Sequence, residues 1–443
     1  MRIQLTDHFD YKRLLRFVLP TIFMIICTSV YSIVDGFFVS NFVGKTAFAS
    51  INLIMPVLIA VGSLGFMFGT GGSAVVAKLM GEKKEKEAHK CFSLLVYTAI
   101  IVGIVISALG FVFTPSIARL FGANGKMLEN CVIYGRILFC SMPAYILQFM
   151  FQSLFVTAEK PKLALKLNVL AGIVNIVLDA VLIAVFQWGV AGAAIATALG
   201  EFTGGIIPLI YFAKKNNSRL QLTSTQFNGR MLVKICTNGS SEMITNLSSS
   251  VVNMLYNYQL MRIAGNDGIA AYGIIMYINI IFMAVYMGYS LGSSPIISYN
   301  YGSKNYLELK NLFKKSIKII SIAGILQVVV AEVMAVPLVM IFASYDKTLL
   351  DFTIYGFRIY SLAFLVMGFN VWSSSFFTAL NNGVISATIS FLRTLCFQSA
   401  TIIILPKILQ LNGVWLAIVV AELLSLIVSI AFLLTQKKKY KYI

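Results

Sequence analysis

Charge is scarce in this chain: Asp, Glu, Lys and Arg make up only 12% of its 443 residues. A soluble globular domain carries roughly 25%. With 58% apolar residues and a mean hydropathy of +0.85, a cytoplasmic enzyme is excluded and the solvent is lipid. Histidine is almost absent. His8 and His89 both sit in polar segments, so no zinc-hydrolase ligand set can be assembled. The six cysteines (Cys27, Cys91, Cys131, Cys140, Cys236 and Cys396) lie in or beside apolar runs without metal spacing, and read as small hydrophobes. Nine prolines and 32 glycines are too few for a low-complexity or collagen-like chain. No clustered Ser/His set marks a membrane-embedded enzyme. The first apolar run is far longer than the ~7–15 residues of a signal-peptide core, and no A-x-A site follows it. The net charge of +18 does not point to nucleic acid, because its basic residues lie in short clusters between apolar runs.

What is present is a series of twelve apolar runs, each close to or above the ~20 residues that cross a bilayer as a helix. They cover roughly 14–42, 48–78, 91–114, 128–157, 164–186, 190–213, 231–262, 268–300, 312–342, 349–379, 384–405 and 413–435. An even number puts both termini on one side. Of the 35 basic residues, 26 fall in the termini and the loops on that side, 6 on the opposite side and 3 within spans. The positive-inside rule therefore predicts both termini in the cytoplasm.

Shifted by 221 residues, the chain aligns with itself without a gap from about Pro20 to Glu159. Gly44 meets Gly265, Gly71 meets Gly292, Gly81 meets Gly302 and Lys83 meets Lys304. The polar loop 81–90 meets 302–311. The expected architecture is an all-α polytopic membrane protein of twelve helices in two pseudo-symmetric six-helix bundles. Its parts are an N-terminal bundle (1–213), a linker (214–230) and a C-terminal bundle (231–443). Parallel repeats place a substrate pathway between the halves, and rocking of the halves gives alternating access.

An ionisable residue inside a span is a functional candidate by default. At ~1.5 Å per residue, Asp35, Asp179 and Thr197 all fall in the half of the membrane away from the termini. Asn175 lies one turn before Asp179 on the same helix face. Asp35, Asn175, Asp179 and Thr197 thus form one oxygen-rich cluster. The repeat places Tyr256, Cys396 and Ala400 where the first half has Asp35, Asn175 and Asp179, so the cluster belongs to one half only. Two carboxylates in a low-dielectric pocket cannot both ionise cheaply. Such a pair suits a proton, or a hard cation such as Na+ held together with amide and hydroxyl oxygens. The competing reading is a hydrogen-bonded cluster that merely fixes helix packing.

Glu242, in Gly239-Ser240-Ser241-Glu242, reads either as a second acid on the pathway or as a carboxylate in the first turn of a helix. Glu201, Glu332 and Glu422 lie deeper in their helices, where pairing with Arg358 or Arg393 would give them a structural role. Pro20 interrupts the first span below Asp35 and reads either as a fixed kink or as a hinge. Tyr31, Asn253, Tyr256, Asn257, Met276, Asn279 and Met283 are the candidates for lining a wide, adaptable cavity. Tyr, Asn and Met suit aromatic cations through stacking, cation–π contact and soft packing.

Several segments carry a family resemblance. They are Val30-Tyr-Ser-Ile-Val-Asp35-Gly, Phe68-Gly-Thr-Gly-Gly-Ser-Ala74 with Gly81-Glu82-Lys83, Ala158-Glu-Lys-Pro161, Asn175-Ile-Val-Leu-Asp179 and Gly189-Val-Ala-Gly-Ala-Ala-Ile-Ala-Thr197. In this order they resemble the multidrug and toxic compound extrusion (MATE) family, most of all its bacterial MepA-type branch, over essentially the whole chain. The resemblance implies a secondary antiporter of the bacterial plasma membrane that exports cationic amphipathic compounds in exchange for protons or sodium. It also implies a functional monomer with no cofactor beyond the coupling ion. The family's N-lobe ion site falls on Asp35, Asn175, Asp179 and Thr197, and Glu242 is only a loose match to the C-lobe acids of NorM-type members. The rival reading is a flippase for lipids or lipid-linked saccharides, expected to have fourteen spans and a cationic cavity. A membrane-embedded enzyme or a receptor is more distant.

Overall fold

The computed structural model describes residues 3–344 and 346–443, with the side chains of Ser32, Ser40 and Lys45 outside the description. Arg2 and the Lys45 side chain, both counted in the charge asymmetry, therefore lie outside the described residues. The described residues form helices and connecting turns, with no strand among them.

Polar residues at the sequence breaks start the helices. Asp10 accepts a hydrogen bond from Arg13 N at 2.7 Å, and Asn228 accepts one from Met231 N at 3.1 Å. Asp346 accepts from the backbone of Thr348 and Leu349. Each satisfies amide donors that a helix end leaves without a partner. The first six spans are Tyr11–Val43, Lys45–Gly81, Glu85–Leu120, Gly125–Thr157, Pro161–Val185 and Gly189–Ala213. The helix Gly229–Gly302 breaks at Gly265 (φ 61°, ψ −148°), which gives the seventh span (229–264) and the eighth (266–302). The ninth is Tyr306–Val333, followed by the short helix Ala335–Ala343. The tenth is the pair Lys347–Ser361 and Phe364–Ala379, bent by 50°. The eleventh (383–409) and twelfth (411–440) part at Gln410 (φ 51°, ψ −125°). Counted this way, the described residues make twelve passes, as the apolar runs predict.

Large apolar side chains point outward. Ile101, Ile104, Val105 and Val112 of the third span are each more than half exposed. No water-soluble surface tolerates such a stripe, whereas lipid tails accept it.

The repeat is visible in three dimensions. Lys83 and Lys304 occupy the same turn, both with φ near +60° (61° and 56°). Gly71 packs against Ile235 and Gly239, and its repeat mate Gly292 packs against Val18, the mate of Gly239. The core follows the same division. One cluster of buried apolar residues spans Met24 to Ile235 and a second spans Val252 to Ile418. A third joins Leu5, Phe9 and Phe17 to Ile296, Phe376 and Tyr442, and ties the N-terminal segment to the end of the chain. The polar connection 214–228 lies on the third span, where Gln221 N donates to His89 Nδ1 and Thr223 N to Ser93 Oγ.

Candidate functional site

Five helices of the first half line a cavity of about 220 Å³. The first span supplies Thr28, Tyr31 and Asp35, a ladder of roughly one residue per turn. The fifth supplies Asn175 and the sixth supplies Thr197 and Glu201. Asp179 is fully buried one turn beyond Asn175. Its carboxyl group lies within hydrogen-bonding reach of that of Asp35, a contact two carboxylates can make only if they share a proton or a cation. Apart from each other, these groups are bare. Among the described residues no donor reaches Asp35 Oδ1, either oxygen of Asp179 or Asn175 Oδ1, and the Thr197 hydroxyl is likewise unpartnered. Buried polar atoms are normally satisfied. A set of acceptor oxygens without donors is the arrangement that a proton or a small cation completes. The four residues of the predicted cluster thus come together.

The cavity also holds a carboxylate to which the sequence reading gave a structural role. Glu201 Oε2 accepts a hydrogen bond from Ser141 Oγ at 2.5 Å, and no basic side chain of the described residues pairs with it. Its position one turn after Thr197 was the available signal. Tyr134, buried beside Thr197, was missed as well. It belongs to an inner stripe of the fourth span, Tyr134, Ser141, Tyr145, Gln148 and Gln152, whose steps of seven, four, three and four residues keep it on one face.

The second half is filled where the first is hollow. Tyr256, the repeat mate of Asp35, stacks on Tyr272 with ring centroids 4.8 Å apart and planes 4° apart. Ile418, the mate of Thr197, is core. Glu422 is the mate of Glu201 and is fully buried, but it is neutralised. Arg393 Nε and Nη2 donate to its carboxylate at 2.8–3.0 Å, and Asn370 Nδ2 donates at 2.8 Å. Arg393 stands where the first half has Gly172. Glu332 faces Arg358 at 3.7 Å, so both of these acids take an arginine partner as expected.

A smaller cavity of about 80 Å³ lies between the halves, lined by Phe66, Thr70, Gln152, Glu242, Met283 and Arg393 among others. Glu242 therefore faces the space between the halves. Of the predicted drug-cavity residues, Met283 lines it, while Tyr31 lines the acid cavity instead. Tyr256 is core, Met276 packs on the same core, and Asn253 accepts a bond from Tyr272. Asn257 is exposed, and Asn279 Oδ1 is buried without a partner among the described residues. Pro20 is buried inside the first helix.

Comparison with known proteins decides the lineage. The MatE family model matches residues 20–181 and 242–400, the two repeats. The chain belongs to the MatE family. As a MATE chain it is a multi-pass membrane transporter and not an enzyme. It is 26% identical to the multidrug export protein MepA of Staphylococcus haemolyticus over 93% of this chain and 90% of that one. It superimposes on a crystal structure of MATE in complex with MaL6 with a TM-score of 0.93, covering 98% of both chains at 21% identity. It also superimposes on a multidrug resistance MATE transporter of the MOP superfamily in its outward-facing conformation. There the TM-score is 0.93, with 100% of this chain and 99% of that one covered at 22% identity. At these identities the structural matches speak for the fold.

Proposed function

We propose that this MATE transporter is a multidrug efflux antiporter of the plasma membrane, with both termini in the cytoplasm, that exports cationic amphipathic compounds in exchange for protons or sodium. One observation carries the reading. Asp35 and Asp179 present unpartnered oxygens to each other beside a cavity of the first half, while the second half fills the equivalent place with a tyrosine stack. A structural role for the acids would be repeated in both halves. A cation site needs to exist once.

Asp35 and Asp179 supply the charge, and the Asn175 carbonyl and Thr197 hydroxyl supply neutral oxygens, so the donor set suits a hard cation as well as a proton. The drug occupies the space between the bundles 1–213 and 231–443, which move as units about the linker 214–230. Glu242 and Met283 face that space. An acid and a pliable thioether suit varied cationic guests. Entry of the cation into the acid cavity favours release of the drug. A functional monomer suffices, because each chain carries both repeats.

The test is transport in liposomes of purified protein, with a pH gradient or a sodium gradient imposed separately and ethidium followed by fluorescence. Uptake driven by either gradient supports the antiporter, and the effective gradient names the ion. Competition distinguishes the substrate classes. Inhibition by lipophilic cations supports the reading, and inhibition by lipid-linked phosphates alone would replace it with a flippase.

A further inference from the structure

At the end of the molecule that holds both termini, a crevice of about 770 Å³ lies between the start of the first span, the start of the fifth and the end of the sixth. It shares no lining residue with the acid cavity or with the space between the halves. Six basic residues line it: Arg16, Lys160, Lys162, Lys166, Lys214 and Lys215. The carboxylate among its lining residues is already engaged. Glu159 Oε1 accepts from Leu5 N at 2.9 Å and pairs with Arg219 Nη1 at 3.3 Å. Among the described residues no acid forms an ion pair with Arg16, Lys162, Lys166, Lys214 or Lys215. Salt screens exposed charges taken singly, but several of one sign around one concave surface raise the local potential and gather anions.

Membrane topology does not account for the cluster. The cytoplasmic-charge signal is repeated in both halves where Lys83 meets Lys304. The connection into the fifth span, 159–166, carries three lysines, whereas the corresponding connection into the eleventh, 380–392, holds no charged residue. The two helix starts differ in the same sense. Asn382, at the N-cap of the eleventh span, accepts a hydrogen bond from Ile385 N at 3.4 Å. The fifth span has Lys160 at its N-cap, no side-chain cap and no acid in its first turn. A helix N-terminus carries partial positive charge, so these lysines stand at the unfavourable pole. A bound anion offsets both the helix end and the lysines.

The helix faces beside the cations identify the anion. On the fifth span Lys162 and Lys166 continue into Leu170, Ile173 and Val177 at steps of four, four, three and four residues, so all five share one face. Those three apolar side chains are exposed, which in a membrane is exposure to lipid tails. Arg16 likewise precedes the exposed Leu19 and Phe23 on one face of the first span, and Lys214 follows the exposed Ile206 and Ile210 of the sixth. Three lipid-facing stripes therefore end in cations at one crevice. We propose that the crevice binds the phosphate headgroup of an anionic phospholipid, drawn from the leaflet on the side of the termini, with its acyl chains along the first, fifth and sixth spans. A zwitterionic headgroup brings its own ammonium against the lysines and is disfavoured there. The inference is independent of the antiporter reading.

Native mass spectrometry of the purified chain, titrated with phosphatidylglycerol or with phosphatidylcholine of the same acyl chains, reads the preference. Wild type is expected to bind phosphatidylglycerol at least about tenfold more tightly. A lysine near an anionic group is worth roughly fivefold in affinity. Lys162→Gln/Lys166→Gln/Lys214→Gln should therefore bring the two lipids to within about twofold of each other. Lys162→Arg/Lys166→Arg/Lys214→Arg keeps the charge and should keep the preference. Lys83→Gln/Lys86→Gln/Lys314→Gln removes three exposed lysines elsewhere on the same side and should keep it too. A wild type without preference, or a Lys83/Lys86/Lys314 variant that loses as much as the crevice variant, overturns the inference. Displacement of phosphatidylglycerol by inorganic phosphate at no higher concentration than the lipid would assign the crevice to soluble phosphate and overturn the lipid assignment.

Discussion

Gly81 lies so close to Tyr299 that a β-carbon on it would run into the Tyr299 carbonyl oxygen, and Gly302 meets the carbonyl of Lys78 in the same way. The two contacts are one contact repeated, since Gly302 and Tyr299 are the mates of Gly81 and Lys78. They join the second and eighth spans at the end of the molecule where both termini lie, and so hold the halves together on that side. If the halves rock as proposed, this contact must open and close.

Gly81→Val should therefore prop the halves apart. Overpacking of a tight site costs about 1–3 kcal/mol, enough to shift a closed state toward an open one. Spin labels at the exposed turn residues Lys83 and Lys304, each replaced by Cys, should report a longer distance population in Gly81→Val than in the parent. An unchanged distribution would remove the closure role.

The second half's acid should behave as structure. Arg393→Met leaves Glu422 buried without its partner and should destabilise the protein by about 3–5 kcal/mol, whereas the double variant with Glu422→Leu should recover most of that loss. Thermal unfolding in detergent reads both. A double variant no more stable than the single would contradict this reading.

Glu201 should behave otherwise, although it is the mate of Glu422. It borders the acid cavity with a serine for a partner and, among the described residues, no arginine. Glu201→Gln keeps the shape and the serine contact but removes a charge. It should leave thermal stability within about 1 kcal/mol while lowering gradient-driven ethidium uptake several-fold. Normal uptake would assign Glu201 to packing.

Gln410 holds φ 51° and ψ −125°, a backbone region open essentially to glycine, and its repeat mate is Gly189 with φ 57°. Such strain costs about 1–3 kcal/mol, and glycine gives back about 0.4–1 kcal/mol through the freer unfolded chain. Gln410→Gly should stabilise by about 1 kcal/mol net, seen as a higher unfolding midpoint. A lower midpoint would show that the Gln410 side chain contributes more than its backbone costs.

Much of this was legible in the residues. Twelve apolar runs, the 221-residue repeat and the depth of Asp35, Asn175, Asp179 and Thr197 all follow from one-dimensional periodicities, which the helix converts into faces and levels. The aromatic and amide candidates were harder. Tyr256 and Met283 were both read as cavity candidates on adjoining helices, yet one is stacked in a core and the other faces a cavity. That difference is decided by which helix packs against which face, and the spacing of one chain segment does not carry it. Glu201 and Glu422 show the same limit. As mates they look alike, and their roles diverge because Arg393 replaces Gly172 on a different span.

The central claim is that drug and coupling cation oppose each other through the Asp35–Asp179 pair. Linkage makes this measurable at equilibrium, since a cation that weakens drug binding must itself be weakened by the drug to the same degree. The decisive measurement is the ethidium affinity of purified protein titrated with protons and, separately, with sodium, for wild type and Asp35→Asn. The account predicts that one of the two cations lowers wild-type affinity at least about fivefold and that Asp35→Asn binds ethidium with that dependence abolished. An affinity indifferent to both cations, or a dependence that survives in Asp35→Asn, would contradict it.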